Sequence, residues 1–177
     1  TGGVQFNVID TPGYRDFVGQ VYSALTVVEN VVVVVDADEG VRANARKVWQ
    51  LAEAAGLPCF VVVNRVDREQ AKVEETLAQI AEQLSPRCVP LVWPVGSGAT
   101  FSGVERTFGN PSGSDDAKEQ ATRLVDMVVE SDDALMEKYL GGETLSDEEV
   151  EKQLRASIAA RNVFPVFFTS GEKDLGV

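Results

Sequence analysis

The chain has 177 residues, with 28 Asp and Glu against 16 Lys and Arg, two Cys and no His. A formal charge of -12 argues against a general nucleic-acid clamp, which needs a basic stripe, and the absence of His removes the commonest general base and metal ligand. No apolar run approaches the roughly 18 residues of a membrane span, no signal-peptide pattern opens the chain, and Thr1, with no Met before it, reads as an internal residue of a longer protein.

A chain of this size buries roughly 70% of its unfolded surface and folds without disulfides or metal. Cys59 and Cys88 lie in apolar stretches without metal-ligand spacing, which suits a reducing cytoplasm. The first predicted strand is Val4 to Asp10, ended by the turn signal Thr11-Pro12-Gly13. Phe17, Val21, Leu25 and Val28 follow at helical spacing. Val31 to Val35 is an unbroken valine run closing on Asp36, the pattern of a strand buried on both faces in a parallel sheet. Val48, Leu51, Ala52 and Ala55 mark a second helix, stopped by Gly56 and Pro58. A third strand, Cys59 to Val63, runs into Asn64-Arg65-Val66-Asp67, and a helix with Val73, Leu77, Ile80, Ala81 and Leu84 comes next. Cys88 to Val95 contains two prolines and fits only an edge strand.

From Gly96 to Asp116 the composition turns to Gly, Ser, Thr, Asn and Asp, which predicts loops. One helix then carries Leu124, Val128, Leu135 and Tyr139. Another opens on the capping box Ser146/Glu149 and carries Val150, Leu154 and Ile158. Val163 to Phe168 is the last strand, followed by Thr169-Ser170-Gly171. Alternating strands and helices predict an α/β fold: a mostly parallel sheet with helices on both faces.

Three motifs each end a strand. In Ile9 to Gly13, IDTPG, the carboxylate of Asp10 suits a hydrated Mg²⁺ beside a nucleotide's phosphates, and Gly13 lets a backbone N–H approach the terminal phosphate. A plain Pro-Gly turn is the bland alternative. In Asn64 to Asp67, NRVD, a carboxylate can accept from guanine N1–H and N2–H₂, a donor pair that adenine lacks. A polar strand-to-helix turn explains the same four residues. In Thr169 to Gly171 a backbone N–H could meet guanine O6. Each motif is weak alone. Their order at the carboxyl ends of strands in one α/β unit carries the signal, because ligands gather there. The acids Asp36, Asp38 and Glu39 before Gly40 read as a solvated loop, and Trp49 and Trp93 as packing residues.

These residues resemble the nucleotide-binding domain of the elongation factor G family of translational GTPases. IDTPGYRDF is similar to its switch II, and VVVVVDADEGVRANARKVWQLAEAAGLPCFVVVNRVDRE to the following strand, helix, strand and guanine motif. MEKYLGGETLSDEEVEKQL resembles the end of its inserted subdomain, and PVFFTSGEKDLGV the strand and loop that finish the guanine pocket.

The resemblance implies a P-loop-GTPase-like domain, truncated before Thr1, with the core at 1–94, a shortened and mostly helical insertion at 95–161, and a last strand and loop at 162–177. It implies GTP or GDP and Mg²⁺ as ligands, with Asp10 ordering Mg²⁺ through water and Gly13 reading the γ-phosphate. Asn64 and Asp67 would hold the guanine pocket, Arg65 would cover the base, and Ser170 and Gly171 would complete the contact. It further implies a cytoplasmic GTPase that acts on the ribosome in translation elongation. Two departures qualify this. Tyr14 stands where the family has the His that positions the attacking water, and a phenol with a pKa of about 10 is a poor substitute. No GxxxxGK[ST] loop and no first switch occur in the 177 residues, so these residues alone would be an inactive fragment. A binding module with little or no hydrolysis is the alternative.

The family's strand leading into the phosphate loop would separate Val4–Asp10 from Val31–Val35. Without it, the expectation is that Val4–Asp10 pairs directly with Val31–Val35 through a crossover helix over Tyr14 to Glu29, or that a second chain supplies a strand.

Overall fold

The computed structural model describes residues 3–109, 112–143 and 145–177. Six strands are present among them: β1 (Val31–Asp36), β2 (Cys59–Asn64), β3 (Cys88–Pro90), β4 (Val92–Val95), β5 (Gly103–Arg106) and β6 (Phe164–Phe168). The helices are α1 (Val18–Leu25), α2 (Ala43–Ala54), α3 (Val73–Gln83), α4 (Asp115–Val129), α5 (Asp133–Leu140) and α6 (Asp147–Ala159).

Four strands form a parallel sheet in the order β1-β2-β6-β3. In parallel pairing, residues in register point to the same side. Val31, Val33 and Val35 therefore share a face with Cys59, Val61 and Val63, and with Val166 and Phe168. This face is closed by Trp49 and Ala52 of α2 and by Leu77 and Ile80 of α3. On the opposite side, Val89 joins Leu124 and Val128 of α4 and Val150 and Leu154 of α6. Helices thus lie on both faces, but the second layer stops short of β1, where Val32 and Val34 are 58% and 61% exposed.

Proline placement behaves as the sequence predicts. Pro90 sits in β3, at the edge of the main sheet, where no further strand asks for its missing N–H. The apolar piece from Cys88 to Val95 nevertheless divides: β3 joins the main sheet, while β4 turns away to pair antiparallel with β5. β5 falls within the stretch expected to be loop, because its partner β4 is adjacent and Val104 packs against the core. The helix expected to run from Leu124 to Tyr139 is two helices. Asp132 breaks it by taking an extended conformation and accepting from the Leu135 N–H at 3.0 Å, as an N-cap does. The Ser146/Glu149 capping box opens α6 as expected.

The main correction concerns Val4–Asp10. This segment forms no strand and pairs with nothing among the described residues; Phe6 is 74% and Val8 89% exposed. β1 pairs only with β2, and its other edge carries no strand among the described residues. Meanwhile Asn44 Nδ2 donates to the Gly13 carbonyl at 2.7 Å and fixes the end of the segment at the start of α2. A cleft of about 420 Å³ remains between Ile9–Gly13 and β1, so the expected direct pairing does not form.

Candidate functional site

β2 and β6 are neighbours, so the loops at their carboxyl ends meet. Thr169 N–H donates to the Val63 carbonyl at 2.9 Å, and Val66 N–H to the Thr169 carbonyl at 3.2 Å, which carries the ladder past both strand ends. Asn64 then joins the loops through one atom: its Oδ1 accepts from Thr169 Oγ1 at 3.1 Å and from the Gly171 N–H at 3.0 Å. Residues 105 and 107 positions apart are held by a single amide oxygen.

The loop after β6 is closed on itself. Ser170 and Leu175 exchange both backbone hydrogen bonds, at 2.9 and 3.1 Å. The buried Ser170 accepts through its hydroxyl from the Lys173 N–H at 3.1 Å, so that side chain shapes the loop while Gly171 stands exposed beside Asn64. A third loop braces the first: Gly98 N–H donates to the Val66 carbonyl at 2.9 Å. Gly98 has φ +58°, and a Cβ there would meet the Arg68 carbonyl oxygen at 3.3 Å, so this approach favours glycine.

Asp67, next to Val66, is half-buried and its carboxylate has no hydrogen-bond or ion-pair partner among the described residues. It is available as a two-oxygen acceptor at the meeting point of the three loops. Arg65 behaves differently. Its backbone is left-handed, φ 67°, and its guanidinium Nη1 lies 2.7 Å from Asp36 Oδ2. Asp36 ends β1 in register with Asn64 and is only 13% exposed in its side chain. Burial alone would raise its carboxyl. The Asp38 N–H at 2.9 Å and the bond and charge of Arg65 outweigh that and hold it below the usual carboxylate range. Reading Asp36 as part of a solvated acidic loop therefore missed an ion pair between a mostly buried carboxylate and a half-exposed guanidinium. The available signal was its place as the last residue of the valine strand.

The predicted phosphate-side residues stand apart from this cluster. Asp10 is exposed and lines the cleft beside β1 with Gly13, Asp36 and Glu39. Gly13 is exposed, and Tyr14 is 77% exposed over a shallow depression with Arg42 and Asn44. Among the described residues no three metal-ligating side chains cluster.

A family profile described as the elongation factor Tu GTP binding domain matches residues 1–177. The chain belongs to this family. It is 34% identical over 197 aligned residues to an elongation factor G of Dehalococcoides mccartyi, an alignment that covers 99% of this chain and 28% of that factor. A crystal structure of a protein from Thermus thermophilus superimposes with a TM-score of 0.85 at 29% identity, covering 94% of this chain and 27% of that one. The chain therefore spans little more than a quarter of the length of these relatives, and its α/β sheet is that of a GTP-binding domain in this family.

Proposed function

We propose that this domain reads guanine at the meeting of its β2 and β6 loops, within an elongation factor G-like GTPase that acts on the ribosome in translation elongation. The observation that carries the reading is the Asn64 junction. One amide oxygen holds both loops while the neighbouring Asp67 carboxylate stays unpartnered among the described residues. Two acceptor oxygens suit the paired N1–H and N2–H₂ of guanine; the expected donors to O6 are already used, the Gly171 N–H by Asn64 Oδ1 and the Ser170 N–H by the Leu175 carbonyl. Arg65, through its stem, would cover the base, and Ser170 would shape the loop. In this reading residues 1–94 and 162–177 form the nucleotide-binding core and residues 95–161 an insertion, in a cytoplasmic protein.

The phosphates would enter the cleft between Ile9–Gly13 and β1, with Gly13 nearest the γ-phosphate. Asp10, Asp36 and Glu39 line that cleft, Asp36 paired with Arg65 and Glu39 with Arg42, so Asp10 carries the uncompensated charge beside the phosphates. Mg²⁺ would neutralise the charge, with Asp10 holding it through water. These 177 residues supply no phosphate-cradling loop and no loop Lys. Charge-assisted hydrogen bonds contribute about 1.5–3 kcal/mol each, so losing three or four weakens GTP binding more than about a thousandfold. Submicromolar affinity of the 177-residue chain in calorimetry would contradict this.

The base-reading role is tested by Asp67→Asn in the parent protein. An amide donor there should weaken GTP binding and favour XTP, whose base carries oxygen at C2; unchanged preference removes the role. A second reading, a binding module with little hydrolysis, is favoured by Tyr14. If the phenol limits the chemistry, Tyr14→His speeds hydrolysis on the ribosome; no change means that position 14 does not set the rate.

A further inference from the structure

Asp36, at the end of β1, and Asp67, on the loop after β2, are two of the carboxylates near the base-reading site. Two arginines, Arg42 and Arg65, are ion-paired there. Arg42 pairs with Glu39, and Arg65 with Asp36. Arg65 is two residues from Asp67 in the chain, yet its guanidinium is turned to the end of β1. Three things hold it there: the left-handed backbone at position 65, the 2.7 Å contact, and an Asp36 carboxylate already fixed by the Asp38 N–H. A carboxylate set in advance costs less side-chain entropy to pair than a loop carboxylate that must be ordered for the purpose.

The consequence concerns specificity. Asp67 discriminates guanine from adenine only while its two oxygens are free to accept from the base. A guanidinium is the strongest competitor for them, since it presents two parallel N–H donors of the same spacing as a carboxylate. Arginine is a greater hazard in this respect than lysine, whose ammonium is a point charge without the fork.

Resting on the guanine reading above, we infer that Asp36 is a specificity-determining positioning residue: by engaging the Arg65 guanidinium at the end of β1, it keeps Asp67 free to read the base. Asp36 acts on the base only through Arg65, and its place in the wall of the phosphate cleft bears on GMP and AMP alike. Arg65 keeps its stem at the site and its fork away from the acceptor pair.

The test uses the 177-residue chain with GMP and AMP, at millimolar concentrations, followed by amide shift changes in NMR. Base stacking on Arg65 is nearly indifferent to which purine is present, so the ratio of the two affinities isolates Asp67. Asp36→Asn keeps an oxygen for the Asp38 N–H but loses the ion pair. It should lower the GMP-to-AMP ratio by about tenfold, the weight of a hydrogen bond to a charged group. Adding Arg65→Gln to Asp36→Asn should raise the ratio again, even though both affinities fall with the loss of the covering side chain. A merely structural role for Asp36 would not produce that recovery. Asp36→Glu, which retains a carboxylate for the guanidinium, should keep the ratio above that of Asp36→Asn and reports independently if the amide variant folds poorly. An unmodified chain with no preference for GMP overturns the guanine reading and this inference together. A preference that survives Asp36→Asn, or a double variant that recovers nothing, overturns this inference alone.

Discussion

Replacing Asn64 by Ala removes the side-chain oxygen that joins the β2 and β6 loops alongside the Val66 N–H to Thr169 carbonyl bond. Two hydrogen bonds vanish, from Thr169 Oγ1 at 3.1 Å and from Gly171 N–H at 3.0 Å. Each contributes about 1 kcal/mol net. The two donors then fare differently. Gly171 is exposed and its N–H turns to water. Thr169 is 7% exposed, so its hydroxyl stays inside without an acceptor, at a cost of about 1–3 kcal/mol. The variant should therefore lose about 2–4 kcal/mol, a large share of the roughly 5–15 kcal/mol that stabilises an ordinary domain. Urea unfolding of the 177-residue chain measures this, with a midpoint lower by about 1–2 M. Asn64→Asp is the control, because a carboxylate offers the same acceptor to both donors and should cost less than about 1 kcal/mol. If Ala costs under about 0.5 kcal/mol, or Asp costs as much as Ala, the two bonds do not hold the loops together and the reasoning fails.

Trp49 is 1% exposed, packs edge-on against Phe164 with ring centroids 4.9 Å apart, and buries an Nε1–H that finds no partner among the described residues. Trp49→Phe should accordingly cost under about 1.5 kcal/mol in urea unfolding, well below the about 3–5 kcal/mol of Trp49→Ala, because the orphan donor leaves with the indole. The Glu149 carboxyl is held down to about 2 by its bond to Lys138 and by the Ser146 donors. Its folded value lies below its unfolded one, so its contribution is present above about pH 4.5 and is lost as pH falls towards 2. The urea midpoints of Glu149→Gln and the unmodified chain should differ at about pH 7 and converge near about pH 2; a constant offset would contradict this. Burial pushes the Cys59 thiol up to about 11 and the Cys88 thiol up to about 12. Both should resist a thiol reagent at about pH 8 in the folded chain and react in urea; rapid labelling of the native chain would show that the sheet opens.

What the sequence determined by itself was local and periodic. A valine run bounded by turn residues specifies a strand of a parallel sheet, and β1 is that strand, but at the sheet edge with only its Val31, Val33 and Val35 face buried rather than both faces. Ser146 and Glu149 specify a helix start through their own backbone contacts. Two prolines exclude a central position, and Pro90 lies at the sheet edge. The motifs NRVD and TSG could be placed at strand ends because each follows an apolar run directly, and their loops are neighbours because β2 and β6 are; DTPG, placed in the same way, ends no strand among the described residues. Tertiary structure decided what depends on partners distant in the chain. Val4–Asp10 carries a strand's composition, but a strand exists only if a ladder accepts it, and a cleft separates the end of this segment from β1. β4 and β5 became a hairpin because pairing and burial outweighed a loop-like composition. The helix broke at Asp132 because a side chain that caps the next turn competes with the helix that would continue. Asp36 carries the same lesson for the site. Its sequence neighbours suggest a solvated acidic loop, and only the alignment of β1 beside β2 brings its carboxylate to Arg65, since electrostatic pairing follows distance in space rather than order along the chain.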